Sequence, residues 1–100
     1  MRRFTVAEES MTPALRPGDV LFARPDRRPA AGSVVVFPHP AGGALWLVKR
    51  VTACEAGEAW VESDNPEVTM ADSRTLGWVS TDDMHRVLAR FRPPFSITRL

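Results

Sequence analysis

Proline and glycine are the residues that most restrict how this chain folds. Nine prolines and six glycines are spread over 100 residues and divide the sequence into short pieces. Short β-rich pieces that alternate with turn signals are typical of all-β or mainly β domains. A chain of this length buries roughly two-thirds of its unfolded surface, which is enough for one core but not for two. The sequence therefore predicts a single, mainly β domain over residues 1–100.

Six of these pieces have the length and composition of strands. They are Val20–Ala23, Ser33–Phe37, Leu45–Ala53, Ala59–Ser63, Gly77–Val79 and His85–Phe91. The residues Glu55–Glu58 between two of them predict a hairpin, and Ser80–Asp83 are expected to form a turn. Helix is expected only as one short turn over Thr12–Leu15, with Thr12 as its cap and Pro13 in the first helical position.

The charge balance and the few cysteines and histidines exclude several classes of function. Thirteen basic and twelve acidic residues give a formal charge of +1, which argues against a dedicated nucleic-acid binder. One cysteine, Cys54, rules out an internal disulfide framework, and with only His39 and His85 the chain lacks a convincing zinc-ligand set. The carboxylates Asp64, Glu67 and Asp72 lack the spacing of a metal site. We therefore expect no metal and no cofactor.

The hydropathy pattern predicts no transmembrane segment. No apolar run reaches the roughly 18 residues that a membrane helix requires. Arg2 and Arg3 are not followed by an apolar core, so no secretory signal is predicted. The expected location is the cytoplasm, and peripheral attachment to a membrane stays open.

Ser10 is the first candidate for chemistry, in the stretch EESMTPALRPGD. A serine hydroxyl is a poor nucleophile unless a base removes its proton. The alternative is that Ser10 caps a short helix, but Thr12 is better placed for that role, directly before Pro13. Cys54 is expected to be a structural thiol, because neither histidine gives a sign of serving it as a base.

Lys49 is the candidate base. Side chains alternate across a strand, so Leu45, Leu47, Lys49 and Val51 share one face. A lysine in line with aliphatic neighbours can point into an apolar interior, where burial disfavours the charged ammonium and lowers the pKa. A neutral lysine can then take the proton of a serine without any histidine. The alternative is that Lys49 is an ordinary solvent-facing charge at a sheet edge.

A third stretch, from Ser63 to Arg74, is rich in turn formers. It contains Ser-Asp-Asn-Pro at 63–66 and Asp-Ser-Arg at 72–74. One interpretation is a long loop with local side-chain caps. Another is that Asp64, Asp72 and Arg74 pair with one another and tie this loop down close to the site.

Together these stretches resemble the signal peptidase I family of serine proteases, from about Val6 to Pro94. Four boxes carry the resemblance in the family's order: Ser10–Leu15 with Pro17–Val20, Gly32–Phe37, Val48–Val51, and Ser63–Pro66 with Asp72–Arg74. The compact form, with no anchor and no second β domain, is similar to the small proteases that mature nickel-type superoxide dismutase. Any nickel would belong to the substrate.

The resemblance implies a small β-barrel catalytic core of the signal-peptidase and LexA type. Ser10 would be the nucleophile, with its own N–H donating to the oxyanion, and Lys49 would be the general base. Asp64 and Arg74 would hold the loop behind the lysine. The implied partner is a protein substrate whose N-terminal leader pairs with a strand edge, for which we expect Ser33–Phe37.

Two departures from the family pattern lie near these residues. Glu8 stands where family members often have a hydroxyl or a glycine, and its carboxylate would repel a developing oxyanion. One additional residue between Asn65 and Asp72 leaves open whether Thr69, or no hydroxyl, orients the lysine.

Two other functions fit the same residues. One is a catalytically silent module that keeps the fold and binds peptides. The other is a self-cleaving repressor of the LexA type, which shares the Ser-Lys chemistry. A repressor would need a DNA-binding domain and a cleavage loop before Ser10, and nine residues are too few for either.

Overall fold

The computed structural model describes residues 1–65, 67–68, 71–94 and 96–100, and within these ranges it is mainly β. Eight strands and one short helix are described there. They are β1 (Arg2–Thr5), β2 (Val20–Pro25), β3 (Val34–Pro38), β4 (Trp46–Glu55), β5 (Glu58–Glu62), α1 (Ser73–Leu76), β6 (Val79–Ser80), β7 (His85–Arg92) and β8 (Ser96–Arg99). No helix in the described residues is long and apolar enough to cross a membrane.

The strands form one antiparallel sheet. Its order is β1-β2-β7-β3-β4-β5-β6, and β8 pairs with β7 off this path. β2 pairs with β7 over most of its length, whereas β3 pairs with β7 only at Val35 and Val36. The connection from β4 to β5 is a hairpin whose central residues, Ala56 and Gly57, both have positive φ. Such a pair is typical of the type I′ turn, whose twist matches that of the strands it joins.

β3 lies between two apolar clusters. Val34 and Val36 belong to the first cluster, and Val35 and Phe37 to the second, as alternation along a strand requires. The other members of the first cluster are Val6, Met11, Leu15, Leu21, Ala23 and Val87. The other members of the second are Leu47, Val51, Ala59, Val61, Val79 and Met84. β3 is therefore an interior strand that is covered on both faces.

The six predicted strands are all present, with bounds that differ by up to two residues. The predicted hairpin at 55–58 and the turn at 80–83 are confirmed. The strands β1 and β8 were missed because they are short and largely exposed, so neither shows an apolar alternation.

The prediction of Thr12 as a helix cap is wrong. Residues 10–14 form a turn, in which one α-type hydrogen bond joins Leu15 N–H to the Met11 carbonyl at 2.9 Å. The Thr12 hydroxyl instead donates to the Glu9 carbonyl at 3.0 Å. The helix that the structure describes is α1, where Asp72 is the N-cap and accepts from Arg74 N–H. This helix lies in a stretch that was interpreted as a loop.

Truncation of Phe37 tests the double-sided burial of β3. Phe37 is 1% exposed in the second cluster. Phe37→Ala should lower the free energy of unfolding by about 3–5 kcal/mol, because it removes a fully buried ring and leaves a cavity. Urea denaturation measures this change. Ile97→Ala is the matched control, because Ile97 is 76% exposed on β8 and its truncation should change the value by less than about 0.5 kcal/mol. Equal losses in the two variants would contradict the described core.

Candidate active site

β4 turns Lys49 into the interior. Leu47 and Val51, two positions before and after it, are buried, and Lys49 itself is only 1% exposed. The predicted inward face is therefore confirmed for these residues, and the alternative of a solvent-facing Lys49 is wrong. Leu45 is an exception, since it precedes β4 and is 52% exposed.

Lys49 is also the only lysine in the sequence, where the other twelve basic residues are arginines. A guanidinium stays charged in proteins, whereas a lysine can lose its charge when it is buried. Among the lysine and arginine side chains, Lys49 is thus the one that can become neutral on burial. The presence of a single lysine among thirteen basic residues is a sequence signal that favours a special role for Lys49.

Ser10 lies within hydrogen-bond distance of Lys49. The ammonium Nζ of Lys49 donates to Ser10 Oγ at 3.0 Å, across 39 residues of sequence. Ser10 is 3% exposed, at the start of the turn that contains Met11, a member of the first apolar cluster. The structure therefore brings together the two residues that the sequence singled out, in a setting largely closed to water.

Burial lowers the pKa of Lys49 below its ordinary value of 10.5. Loss of hydration is the largest cause, because the interior disfavours the charged form. The negative charges of Asp72 and Glu8 oppose this change and raise the pKa, and the positive charge of Arg74 lowers it further. Loss of hydration outweighs the two carboxylates, so a larger fraction of Lys49 is neutral near pH 7 than of an exposed lysine.

Asn65 fixes the turn that carries Ser10. Its backbone N–H donates to the Ser10 carbonyl at 2.8 Å, and its side-chain amide donates to the Thr12 hydroxyl at 2.9 Å and to the Glu9 carbonyl at 3.2 Å. Three hydrogen bonds from one residue thus orient the backbone around the serine. The sequence indicates only a turn former at Asn65, because its partners lie more than 50 residues away.

Two ion pairs hold the loop that contains Asn65, and one differs from the prediction. Asp72 pairs with Arg74 as expected, at 2.7 Å. Asp64 does not pair with Arg74 and instead makes two hydrogen bonds of 2.9 Å with Arg50, the residue after Lys49. Arg50 also donates to the Gly32 carbonyl. The reason is alternation along β4, which turns Arg50 to the face opposite Lys49 and toward Asp64.

Asp72 is a buried carboxylate, only 2% exposed. Burial alone would raise its pKa, but hydrogen bonds from the Arg74 side chain and from the backbone N–H groups of Ser63 and Arg74 lower it below the usual value. Asp72 thus remains a fixed negative charge in the surroundings of Lys49.

A further ion pair anchors the segment between Ser10 and β2. Asp19 is 1% exposed and accepts two hydrogen bonds of 2.9 Å from Arg92 on β7. These bonds hold the pKa of Asp19 below its ordinary value. Asp19 also accepts from Arg16 N–H, and its carbonyl accepts from Val6 N–H. The chain on both sides of Ser10 is therefore tied to the sheet.

Ser10 and Lys49 lie at a cavity of about 80 Å³. Residues 5–8 and 10–11 line one side of it, and residues 45–49 line the other. A larger cavity of about 800 Å³ lies beside the β4–β5 hairpin, and it includes Cys54 but neither Ser10 nor Lys49. The small cavity is the candidate substrate site, because it alone of the two contains a nucleophile beside a base.

Both walls of the small cavity carry strand edges with no described strand partner. On β4, β5 begins to pair only at Arg50, so residues 46–49 are paired with β3 alone. The backbone of Val51 exchanges hydrogen bonds with Gly32 and Ser33, which lead into β3. Because successive residues of a strand turn their N–H and carbonyl groups to opposite edges, those of Trp46 and Val48 point away from β3. The expected pairing strand, Ser33–Phe37, offers less free backbone edge, because β3 pairs with β4 from Val34 to Pro38 and with β7 at Val35 and Val36.

The other candidate residues lie elsewhere or outside the described ranges. His39 accepts from Ala41 N–H, and His85 packs edge-on against Phe4 and Trp46. Within the described ranges no three or more His, Cys, Asp or Glu side chains are grouped to hold a metal ion. Thr69, considered as the hydroxyl that orients Lys49, lies outside the described residues.

Comparison with protein families gives a match over most of the chain. The model of the family described as Peptidase S24-like matches residues 3–89, a range that includes Ser10, Lys49, Asn65 and Asp72. No curated protein and no solved structure matches the chain.

Replacement of Lys49 by methionine tests how its burial affects stability. Between the lowered folded pKa and 10.5, the unfolded chain binds a proton that the folded chain lacks, so wild-type stability falls as pH falls through this window. Lys49→Met removes this cost and keeps the volume. At pH 7 we expect its free energy of unfolding to equal that of wild type or to exceed it by up to about 4 kcal/mol, with a smaller excess at pH 10. Urea denaturation at both values measures this. A pH-independent loss of more than about 1 kcal/mol would contradict the account.

Proposed function

The chain belongs to the Peptidase S24-like family, and from this we propose that it is a serine endopeptidase in which Ser10 is the nucleophile and Lys49 the general base. The observation that carries the proposal is the 3.0 Å hydrogen bond between Lys49 Nζ and Ser10 Oγ, with both residues buried. A nucleophile within hydrogen-bond reach of a base is the arrangement that covalent catalysis needs.

The proposed reaction proceeds in two halves. Neutral Lys49 takes the proton of Ser10 as Oγ attacks the peptide carbonyl, and the lysine then gives that proton to the leaving amine. The resulting acyl-enzyme is hydrolysed by a water molecule, whose proton passes to Lys49 and then back to Ser10. The lowered pKa of Lys49 supports this role, because a lysine that is protonated at the working pH has no lone pair to accept the proton.

The oxyanion of the tetrahedral intermediate would be stabilised by the backbone N–H of Ser10. In the described part of the chain, no acceptor is hydrogen-bonded to this N–H. The hydrogen bonds of Asn65 to Ser10 and Thr12 support the role, because they fix the direction of the peptide groups in this turn. Preorganised donors of this kind lose little free energy to reorganisation when the charge develops.

The proposed substrate is an extended peptide that lies between residues 5–8 and the beginning of β4. Trp46 and Val48 would offer backbone N–H and carbonyl groups on one side. On the other side Val6 is bonded to Gly18 and Asp19, so by alternation Thr5 and Ala7 face away from that segment. A peptide in this position would gain strand pairing on both edges. The small cavity would then lie next to the scissile bond.

The specific substrate we propose is a protein with an N-terminal leader or signal peptide. The four boxes that resemble signal peptidase I support this class. Their resemblance to small maturation proteases makes the leader of a nickel-type superoxide dismutase the first substrate to test, with nickel as part of that substrate only.

Removal of either member of the pair should abolish proteolysis. Ser10→Ala and Lys49→Ala should each lower the cleavage rate of a leader-bearing substrate at least about 1,000-fold, because the nucleophile or its base is lost. The rate is followed by mass spectrometry of the products. Ser80→Ala is a matched control, since Ser80 is exposed on β6, and it should cleave at the wild-type rate. Retained cleavage in either active-site variant, with folding verified by circular dichroism, would contradict the proposal.

The pH dependence of cleavage should report the proton of Lys49. Because the base must be neutral, kcat/KM should rise with pH and level off above the lowered pKa of Lys49, below 10.5. Rates measured from pH 6 to 10 on one peptide give this profile. A flat profile over this range would count against a lysine base.

Two alternative functions are separated from this one by direct measurements. A catalytically silent peptide-binding module would keep the fold but would not acylate Ser10 with a serine-directed covalent inhibitor, as judged by intact-mass analysis. Self-cleavage is the other alternative, because LexA-type repressors share the Ser-Lys chemistry on a related fold. A self-cleaving protein would be cut at a rate independent of its concentration and would leave added peptides intact.

A further inference from the structure

Glu8 is a charged residue at the candidate site that the proposed reaction does not use. It is exposed, and it lines the same small cavity as Ser10 and Lys49. Its carboxylate is close enough to Lys49 for its charge to raise the pKa of the lysine. In the described ranges, no lysine, arginine or histidine nitrogen lies within 4.0 Å of it. The wall of the cavity thus carries a negative charge without an ion-pair partner there.

We propose that Glu8 is a specificity-determining residue, which selects peptides that carry a basic side chain next to the scissile bond. This inference rests on the proposed endopeptidase function. The ligand class is a peptide with lysine or arginine adjacent to the cut. A peptide with an acidic residue in that position would be rejected by repulsion.

The balance of charge around the site favours a cationic ligand. Asp72, the other carboxylate that acts on Lys49, is already paired with Arg74, whereas Glu8 has no such described partner. When Lys49 becomes neutral, the negative charge of Glu8 is no longer opposed by the lysine. A basic substrate side chain would supply the missing positive charge at the moment when the reaction requires a neutral base.

Pairing with a basic substrate would also affect the chemical step. Without it, the charge of Glu8 favours the protonated form of Lys49 and opposes the negative charge that develops on the oxyanion. A substrate cation would offset both effects. Glu8 should therefore contribute to kcat as well as to KM when the substrate is basic, and it should lower kcat when the substrate is neutral.

A cleavage-site survey followed by a matched peptide pair tests the role of Glu8. Wild-type protein is incubated with a library of chymotryptic peptides from a bacterial proteome, which retain internal lysine and arginine, and the new termini are sequenced by mass spectrometry. Lysine and arginine should be enriched at one position next to the cut. One cleaved peptide is then made with lysine and with norleucine at that position. Wild type should cleave the lysine peptide with a kcat/KM about tenfold higher, as for a charge-assisted hydrogen bond.

The variants separate a charge effect from a structural one. Glu8→Gln should cleave both peptides with kcat/KM values within about twofold of each other, and its rate on the norleucine peptide should equal or exceed that of wild type. Glu8→Asp should restore part of the preference. Glu9→Gln is the matched control, since Glu9 is an exposed neighbour whose side chain does not line the cavity, and it should retain the full preference.

The outcomes distinguish this inference from the proposed function. Cleavage that depends on Ser10 but shows no preference for a basic residue would overturn the role of Glu8 alone. A preference that survives in Glu8→Gln would overturn it as well. Absence of any Ser10-dependent cleavage would overturn the proposed function and this inference with it.

Discussion

Burial of a single lysine against a serine hydroxyl is the interaction on which the rest of this structure depends. The interior disfavours the ammonium form of Lys49, and this cost is not offset by a direct ion pair, since the hydrogen-bond partner of Nζ is the neutral Ser10. A group in such a setting is maintained only if the surrounding elements fix its position. The pairing of β4 with β3 fixes the backbone of Lys49. The three hydrogen bonds from Asn65 fix the turn that carries Ser10.

The sheet explains why the cavity lies where it does. β3 is covered on both faces, paired with β4 along its length and paired with β7 at Val35 and Val36, so it joins the two apolar clusters. β5 pairs with only the second part of β4 and leaves the backbone edge of residues 46–49 without a strand partner among the described residues. The segment before Ser10 forms the opposite wall. Strand length and register, more than any single side chain, thus create the space next to the nucleophile.

The mainly β fold could be predicted because local signals were strong and agreed with one another. Prolines and glycines marked the turns, and Val34–Phe37 had the continuous apolar character of a strand that is buried on both sides. The strands β1 and β8 could not be recognised, because short exposed strands are defined by their partners and not by their own pattern. The turn at Ser10 was predicted to be a capped helical turn, because Thr12 stands directly before Pro13 and could cap a helix that begins there. The Thr12 hydroxyl instead donates to the Glu9 carbonyl and accepts from the side chain of Asn65, which is 53 residues away.

The candidate site could be predicted in part. Alternation along β4 indicated that Lys49 shares a face with aliphatic residues, but it could not decide between interior and solvent, because burial depends on strands distant in sequence. The predicted partner of Asp64, Arg74, was also wrong, since the carboxylate of Asp64 is bound by Arg50 on β4. Ser10 and Lys49 were predicted to act together because a serine nucleophile needs a base, and because both match a family that uses such a pair. The 3.0 Å contact between them is a property of the folded chain alone.

The pKa of Lys49 tests the central claim most directly, and the sequence makes it simple to measure. Because Lys49 is the only lysine, protein labelled with ¹³C at the lysine side chain gives one lysine Cε signal, which can be titrated by NMR without overlap. The account predicts a titration midpoint below 10.5 in the folded protein and a return to about 10.5 in 8 M urea. A folded-state midpoint at or above 10.5 would contradict it, because Lys49 would then be a protonated structural cation and not a base for Ser10.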